Sequence, residues 1–498
     1  MFPANSDSGR KEENLSIALL GNRVFSDQTL VEYLIEFLLV FSSAKNAAGE
    51  GKMRFHTSSE IADSKSHYYV APNTALRRFI FYNNSKQESR SAIDELANNA
   101  LWQQLREATE NGEEDIDLIH DLLHSYAIVT RNRGWYAQAL LPVAPQFLLP
   151  DLQGIKRRQG EGANWELINH EVDDEFIFDK HNFLARGGQV LYLHLLQGLL
   201  HADDAGGENC QKLERLLTHM LDCAGKDVGI LADFVEKEWE ESRNTNFKLQ
   251  PYTMGYIQDG FEIRADRFVQ EIINFLRSDI HPIARIELLS QGLVLSLLRA
   301  MHVVAAKTEN PTANEPLWVM DMSGMGGTSN IAKLASESYA TAYNSFLSAM
   351  AILFDQNAID KTKRFEALQK GKRNTSDILK NLGKELKLVI PPRGGYERFS
   401  LPESLARYLV LALVAPGQKI TLDTFLDRLY DHFRIVIASA QYRRSMADGS
   451  WKASENMADY FDINARCFQN FLKQCGFLRD LSDATAIVEN PYKEVSPK

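Results

Sequence analysis

The run from Pro282 to Ala305 is apolar and long enough to cross a bilayer, yet it contains Arg285, Glu287, Arg299 and His302. In hydrocarbon each charged group would cost about 3 kcal/mol, so the run reads as a buried core helix of a soluble protein. The run Thr29–Phe41 is too short to span and carries Glu32 and Glu36, which gives it the same reading. Such helices need many other apolar residues around them. With 498 residues, 44% of them hydrophobic and 24% charged, the chain has enough. That composition excludes a mostly disordered chain, a collagen-like one and a small disulfide scaffold. The length allows a few domains of roughly 100–200 residues.

Helical periodicity dominates. Ser26-Asp27 can cap a helix through Phe41, with Leu30, Leu34, Phe37, Leu38 and Phe41 on its buried side. His67–Val70 and Arg78–Tyr82 look extended, and helical patterns return at 91–107 and 115–130. Pro142, Pro145 and Pro150 interrupt the next stretch, and the basic, glycine-rich residues 154–162 suggest a boundary. A second helical block covers 179–354, with helices at 188–200, 211–223, 231–241, 266–277, 282–305 and 331–354. Residues 361–398 hold 11 Lys/Arg against 4 Asp/Glu, a net of +7 in a chain whose net charge is −11. The expected organisation is a mostly helical domain (1–160), a central helical domain (161–354), a basic connector (355–398) and a C-terminal domain (399–498).

The C-terminal part has the clearest layout. Pro402 opens a helix stopped by Pro416-Gly417, Lys419-Ile420 is a short strand, and Thr421 caps LDTFLDRLYDHF. A β-like run at 434–437 and a segment at 441–446 follow. Asn464 caps ARCFQNFLKQC, Gly476 suits a left-handed helix end, and 477–481 with 485–488 form a hairpin. The fold class expected is mainly α, a multi-helical scaffold with a C-terminal winged helix-turn-helix-like domain.

The chemistry-bearing patterns are incomplete. His120 and His124 sit at i and i+4, but Asp121 stands where a zinc protease has Glu, so a plain helix is expected there. The loop Ser323–Asn330 has glycines but no phosphate-binding Lys, and it reads as a loop ending in a Ser329 or Asn330 cap. Arg186, Gly187 and Gly188 open a helix and could hold an anion. The acidic run Glu171–Asp179, with His170 and His181, reads as a solvated loop. Glu385-Leu-Lys387 in a strand-like region and Asp63-Ser-Lys65 match a nuclease pattern only in part. No metal, cofactor or catalytic residue is assigned, and enzyme status is left open with a non-catalytic role preferred.

Residues 400–498 hold 12 Lys/Arg and 12 Asp/Glu, a neutrality that weakens a DNA-binding claim, and protein docking is the other use of such a fold. Within Ile463–Arg479, however, Arg466, Lys473 and Arg479 occur without an acid. Gln469 and Asn470 could read base edges, with Lys370, Lys372 and Arg373 of the connector adding charge. The four cysteines, Cys210, Cys223, Cys467 and Cys475, have no zinc or redox spacing and read as reduced, buried thiols. With a polar N-terminus lacking a signal-peptide core, they point to the cytoplasm.

Residues 26–41, 132–151 and 178–196 and the segment from Leu401 to Phe433 together resemble large accessory proteins of bacterial DNA-defence systems, modification-dependent restriction or anti-phage clusters. The resemblance implies a non-catalytic, antiviral-defence subunit that docks an ATPase, helicase or nuclease partner; contact with double-stranded DNA through the C-terminal domain is a further reading taken from its residues, and the charged apolar runs give no membrane contact. Two alternatives stand beside it: a metal-dependent phosphodiester-cleaving enzyme with an unrecognised site, and a DNA-binding transcription regulator.

Overall fold

The computed structural model describes residues 1–3, 14–22, 24, 28–62, 67–70, 75–76, 79, 92–124, 187–202, 207–243, 249–324, 329–357, 360–451, 458–482 and 485–495. The first part of the chain holds α1 (Leu15–Leu20), α2 (Leu30–Ser42), α3 (Ser58–Ala62), β1 (His67–Val70), α4 (Ala92–Glu107) and α5 (Glu113–His124). Next come α6 (Gly187–Ala202), α7 (Glu208–Arg243), β2 (Gln250–Thr253), α8 (Glu262–Arg277), α9 (Pro282–Glu309), β3 (Trp318–Val319) and α10 (Asn330–Gln356). Then follow α11 (Arg364–Arg373), α12 (Ser376–Glu385), β4 (Val389–Ile390), β5 (Arg398–Phe399) and α13 (Glu403–Leu413). The last elements are β6 (Lys419–Thr421), α14 (Leu422–Phe433), β7 (Ile435–Val436), α15 (Ser439–Ala447), α16 (Ala458–Gln474), β8 (Leu478–Ser482) and β9 (Thr485–Glu489). The protein is mainly helical.

The membrane-length run is α9, and 94% of its most apolar window is buried inside the fold. Its charges are answered locally. Arg299 donates to the Pro316 carbonyl (2.8 Å) and lies 4.4 Å over the Trp318 ring, His302 accepts from the Trp318 indole (3.0 Å), and Arg285 donates to the Ser278 carbonyl (3.0 Å). Gly292 sits inside this helix because the Tyr408 ring of α13 presses on it. A Cβ there would lie 2.0 Å from that ring. Around α9 pack α2, α8, α10 and α13, and one hydrophobic cluster runs from Leu19 to Val488.

Several boundaries differ from the sequence reading. Helix α2 starts at Leu30, with Thr29 and Glu32 forming a reciprocal capping box. The two helices expected at 211–223 and 231–241 are one, α7. The basic connector is folded: α11 and α12 pack on α10, burying Ile378, Leu379 and Leu382. Nor does the C-terminal hundred residues stand apart. Helix α13 is buried against α8 and α9, β7 pairs in parallel with β3, and β5 pairs with β4. Ion pairs add to this seam: Glu315 takes Arg267 (2.8 Å) and Arg434 (3.1 Å), and Glu271 takes His432 (3.0 Å). The expected strand and hairpin do form, as an antiparallel sheet in the order β6-β9-β8. All four cysteines are free, with Cys223 exposed and the others half-buried, so the expectation of buried thiols is corrected. The boundary at 154–162, the acidic run at 171–179 and Asp63-Ser-Lys65 lie outside the described residues.

Candidate functional site: the C-terminal helix and hairpin

Helix α16 is longer than its sequence signals suggest, and Asn464 is an interior residue of it rather than a cap. Its side chain is buried. The amide donates to the carbonyls of Met320 and Ile437 (both 2.9 Å), and its oxygen accepts from the Met322 N–H (2.7 Å). Phe461, Phe468 and Leu472 turn inward with it. Apolar spacing and one satisfied amide therefore fix which face of α16 meets solvent.

The outward face carries Asp459, Tyr460, Asp462, Ile463, Arg466, Asn470 and Lys473, with Asp462 accepting from Ser439 (2.8 Å). Ile463 is 45% exposed and Tyr460 39%. Among the described residues, Arg466 and Asn470 make no hydrogen bond or ion pair. The other proposed DNA contacts are engaged within the chain. Asp480 on β8 takes Lys473 (2.6 Å) and Gln469 (3.2 Å), and these two hydrogen bonds hold its carboxyl below its ordinary pKa. Arg479 pairs with Glu489 on β9 (2.6 Å), which also takes Lys419 (3.3 Å). The acid-free stretch in the sequence is answered by carboxylates just beyond it and across the sheet.

The connector residues belong to a different place. Helix α11 packs where Gly371 meets Met350 of α10, whereas Phe461 of α16 clusters with Ile331 and Leu334. Sixteen residues of helix separate Leu334 from Met350, about 24 Å along the axis. Lys370 and Arg373 are exposed there. Lys372 contacts Tyr343 and pairs with Asp377 (3.6 Å), and both raise its pKa, Tyr343 more. These three do not extend the α16 face.

At the start of α6 the anion is the chain's own. The Gly188 N–H donates to the buried Glu36 carboxylate (2.6 Å), which also accepts from Gln28 (3.1 Å). A Cβ at Gly187 would lie 2.0 Å from the Tyr33 ring, so both glycines are packing positions against α2. The anion-site expectation is corrected accordingly, and Arg186 lies outside the described residues. His120 packs edge-on against Phe79 (5.4 Å) and beside Trp102 (5.6 Å). Ser329 caps α10 through the Ala332 N–H (3.1 Å). Glu385 ends α12 rather than sitting in a strand, which breaks the geometry of the Glu385–Lys387 pattern. Among the described residues no group of three or more His, Cys, Asp or Glu is placed to hold a metal ion.

No protein-family model matches the chain, and no curated protein or solved structure does.

Proposed function

We propose that this chain is a non-catalytic, cytosolic accessory subunit of a bacterial DNA-processing or anti-phage complex, and that it docks an ATPase, helicase or nuclease partner with the outward face of α16. The observation that carries the docking surface is the makeup of that face. Exposed Tyr460 and Ile463 flank the unpaired Arg466 and Asn470, while Lys473, Gln469 and Arg479 are already held by Asp480 and Glu489. A near-neutral, partly apolar surface with aromatic and Arg anchors suits a protein interface better than a phosphate backbone.

The second reading is DNA contact by a winged helix. What supports this reading is that the β8–β9 hairpin follows α16 and takes β6 as a third strand, and on this reading α16 would be the recognition helix. The test uses the full chain carrying Ile463→Asp or Arg466→Glu. Docking predicts that each variant loses the partner recovered from native cells, while binding to duplex DNA is weak and unchanged at two salt concentrations. Loss of duplex binding in Arg466→Glu with the partner retained would establish the second reading instead.

A further inference from the structure

The β4–β5 connection presents an aromatic ring at its tip. It reads Pro391-Pro-Arg-Gly-Gly-Tyr396, and its last residue is a tyrosine held at φ 63° with 86% of its surface exposed. A left-handed backbone is unfavourable for a bulky side chain, and a ring left in water forgoes the burial that rings ordinarily gain. The fold does not need every residue at this tip. A Cβ at Gly395 would meet nothing within 4 Å, and its φ is not positive, so neither space nor backbone geometry calls for glycine there.

The base of the hairpin is fixed. Arg398 is buried on Asp321 (2.8 Å), Ser336 donates to the Glu397 carbonyl (2.9 Å), and Phe399 stacks on Trp318. Lys380 (3.3 Å) and Lys384 (3.2 Å) share the single carboxylate of Glu397, which leaves one positive charge over. Exposed Arg393, on the tip itself, makes no hydrogen bond or ion pair among the described residues. A presented aromatic face on a rigid base, with the unpaired Arg393 and the spare charge of Lys380 and Lys384 beside it, is what a single-stranded nucleic acid recognises: the ring stacks on a base while the cations take the phosphates.

We infer that the β4–β5 tip binds single-stranded nucleic acid by stacking a base on Tyr396, with Arg393 and Lys380 contacting the adjoining phosphates. The site is separate from the α16 face and does not depend on it. The test is fluorescence anisotropy of the full chain with labelled oligo-dT, oligo-U and a duplex of the same length, at two salt concentrations. Both single strands should bind more tightly than the duplex. Tyr396→Ala should weaken them on the order of tenfold and Tyr396→Phe should not. Arg393→Gln with Lys380→Gln should flatten the salt dependence by about 1.4 in log–log slope, while Ile463→Asp leaves single-strand binding intact. A preference for dT or U would report which nucleic acid the site takes. The inference is overturned if neither single strand binds, if Tyr396→Ala binds as the parent does, or if Tyr396→Ala loses only a protein partner.

Discussion

Asn464 answers three backbone groups at once, from the segment leaving β3 and the residue after β7, and so it sets how α16 is held. Replacing it by Leu keeps the approximate volume and strands all three. Each buried orphan costs about 1–3 kcal/mol, so urea unfolding should show a loss of at least roughly 3 kcal/mol. The sequence offered Asn464 as a cap because Asn favours that position, and only the helix start at Ala458 places it inside. Buried histidines give a second expectation at this scale. Burial, with Lys45 adding to it, pushes His56 down to about 4. Burial and then Arg264 push His194, wedged between Phe261 and Phe268, down to about 3. Both lie below the unfolded value near 6.5, so the stabilisation is whole above that pH and fades as pH falls toward 4. His194→Phe should flatten the fall in Tm between pH 6.5 and 4 by the equivalent of on the order of 3 kcal/mol. An unchanged slope in scanning fluorimetry would refute the assignment.

Between elements, one close approach joins α2 and α6. A Cβ at Gly188 would lie 2.2 Å from the Cβ of Glu36 and 2.5 Å from the Tyr33 carbonyl oxygen, so backbone as well as side chain must move. Gly188→Ala should cost about 3 kcal/mol or prevent folding, whereas Gly395→Ala, in open space, should leave Tm unchanged. Long helices with strong apolar periodicity were legible: α8, α9, α10 and α14 fall close to where the spacing puts them. The short α11 and α12 were not. Lysine-rich composition hides the few buried positions of α12, Ile378, Leu379 and Leu382, and such a helix is stabilised by packing on α10 rather than by its own propensity. The carboxylates that neutralise the α16 face were hidden for a related reason. Asp480 and Glu489 reach it across a sheet whose register is a tertiary fact.

At the scale of the whole molecule, the C-terminal hundred residues contribute to the same main hydrophobic cluster as the described helices before them. The isolated fragment 399–498 would expose the face of α13 that packs on α8 and α9, including Leu405, Tyr408 and Leu409. It should therefore fail to unfold cooperatively by circular dichroism. A fragment that melts as a folded domain would contradict the shared core. The same integration gives α16 a rigid mounting, which lowers the ordering cost of docking. The most direct measurement is photo-crosslinking in native cells with the crosslinker at position 463, against a control at Leu118, an exposed leucine of α5. A discrete protein adduct from 463 and none from 118 is the result the docking account predicts. Adducts to nucleic acid alone, or none from 463, would contradict it.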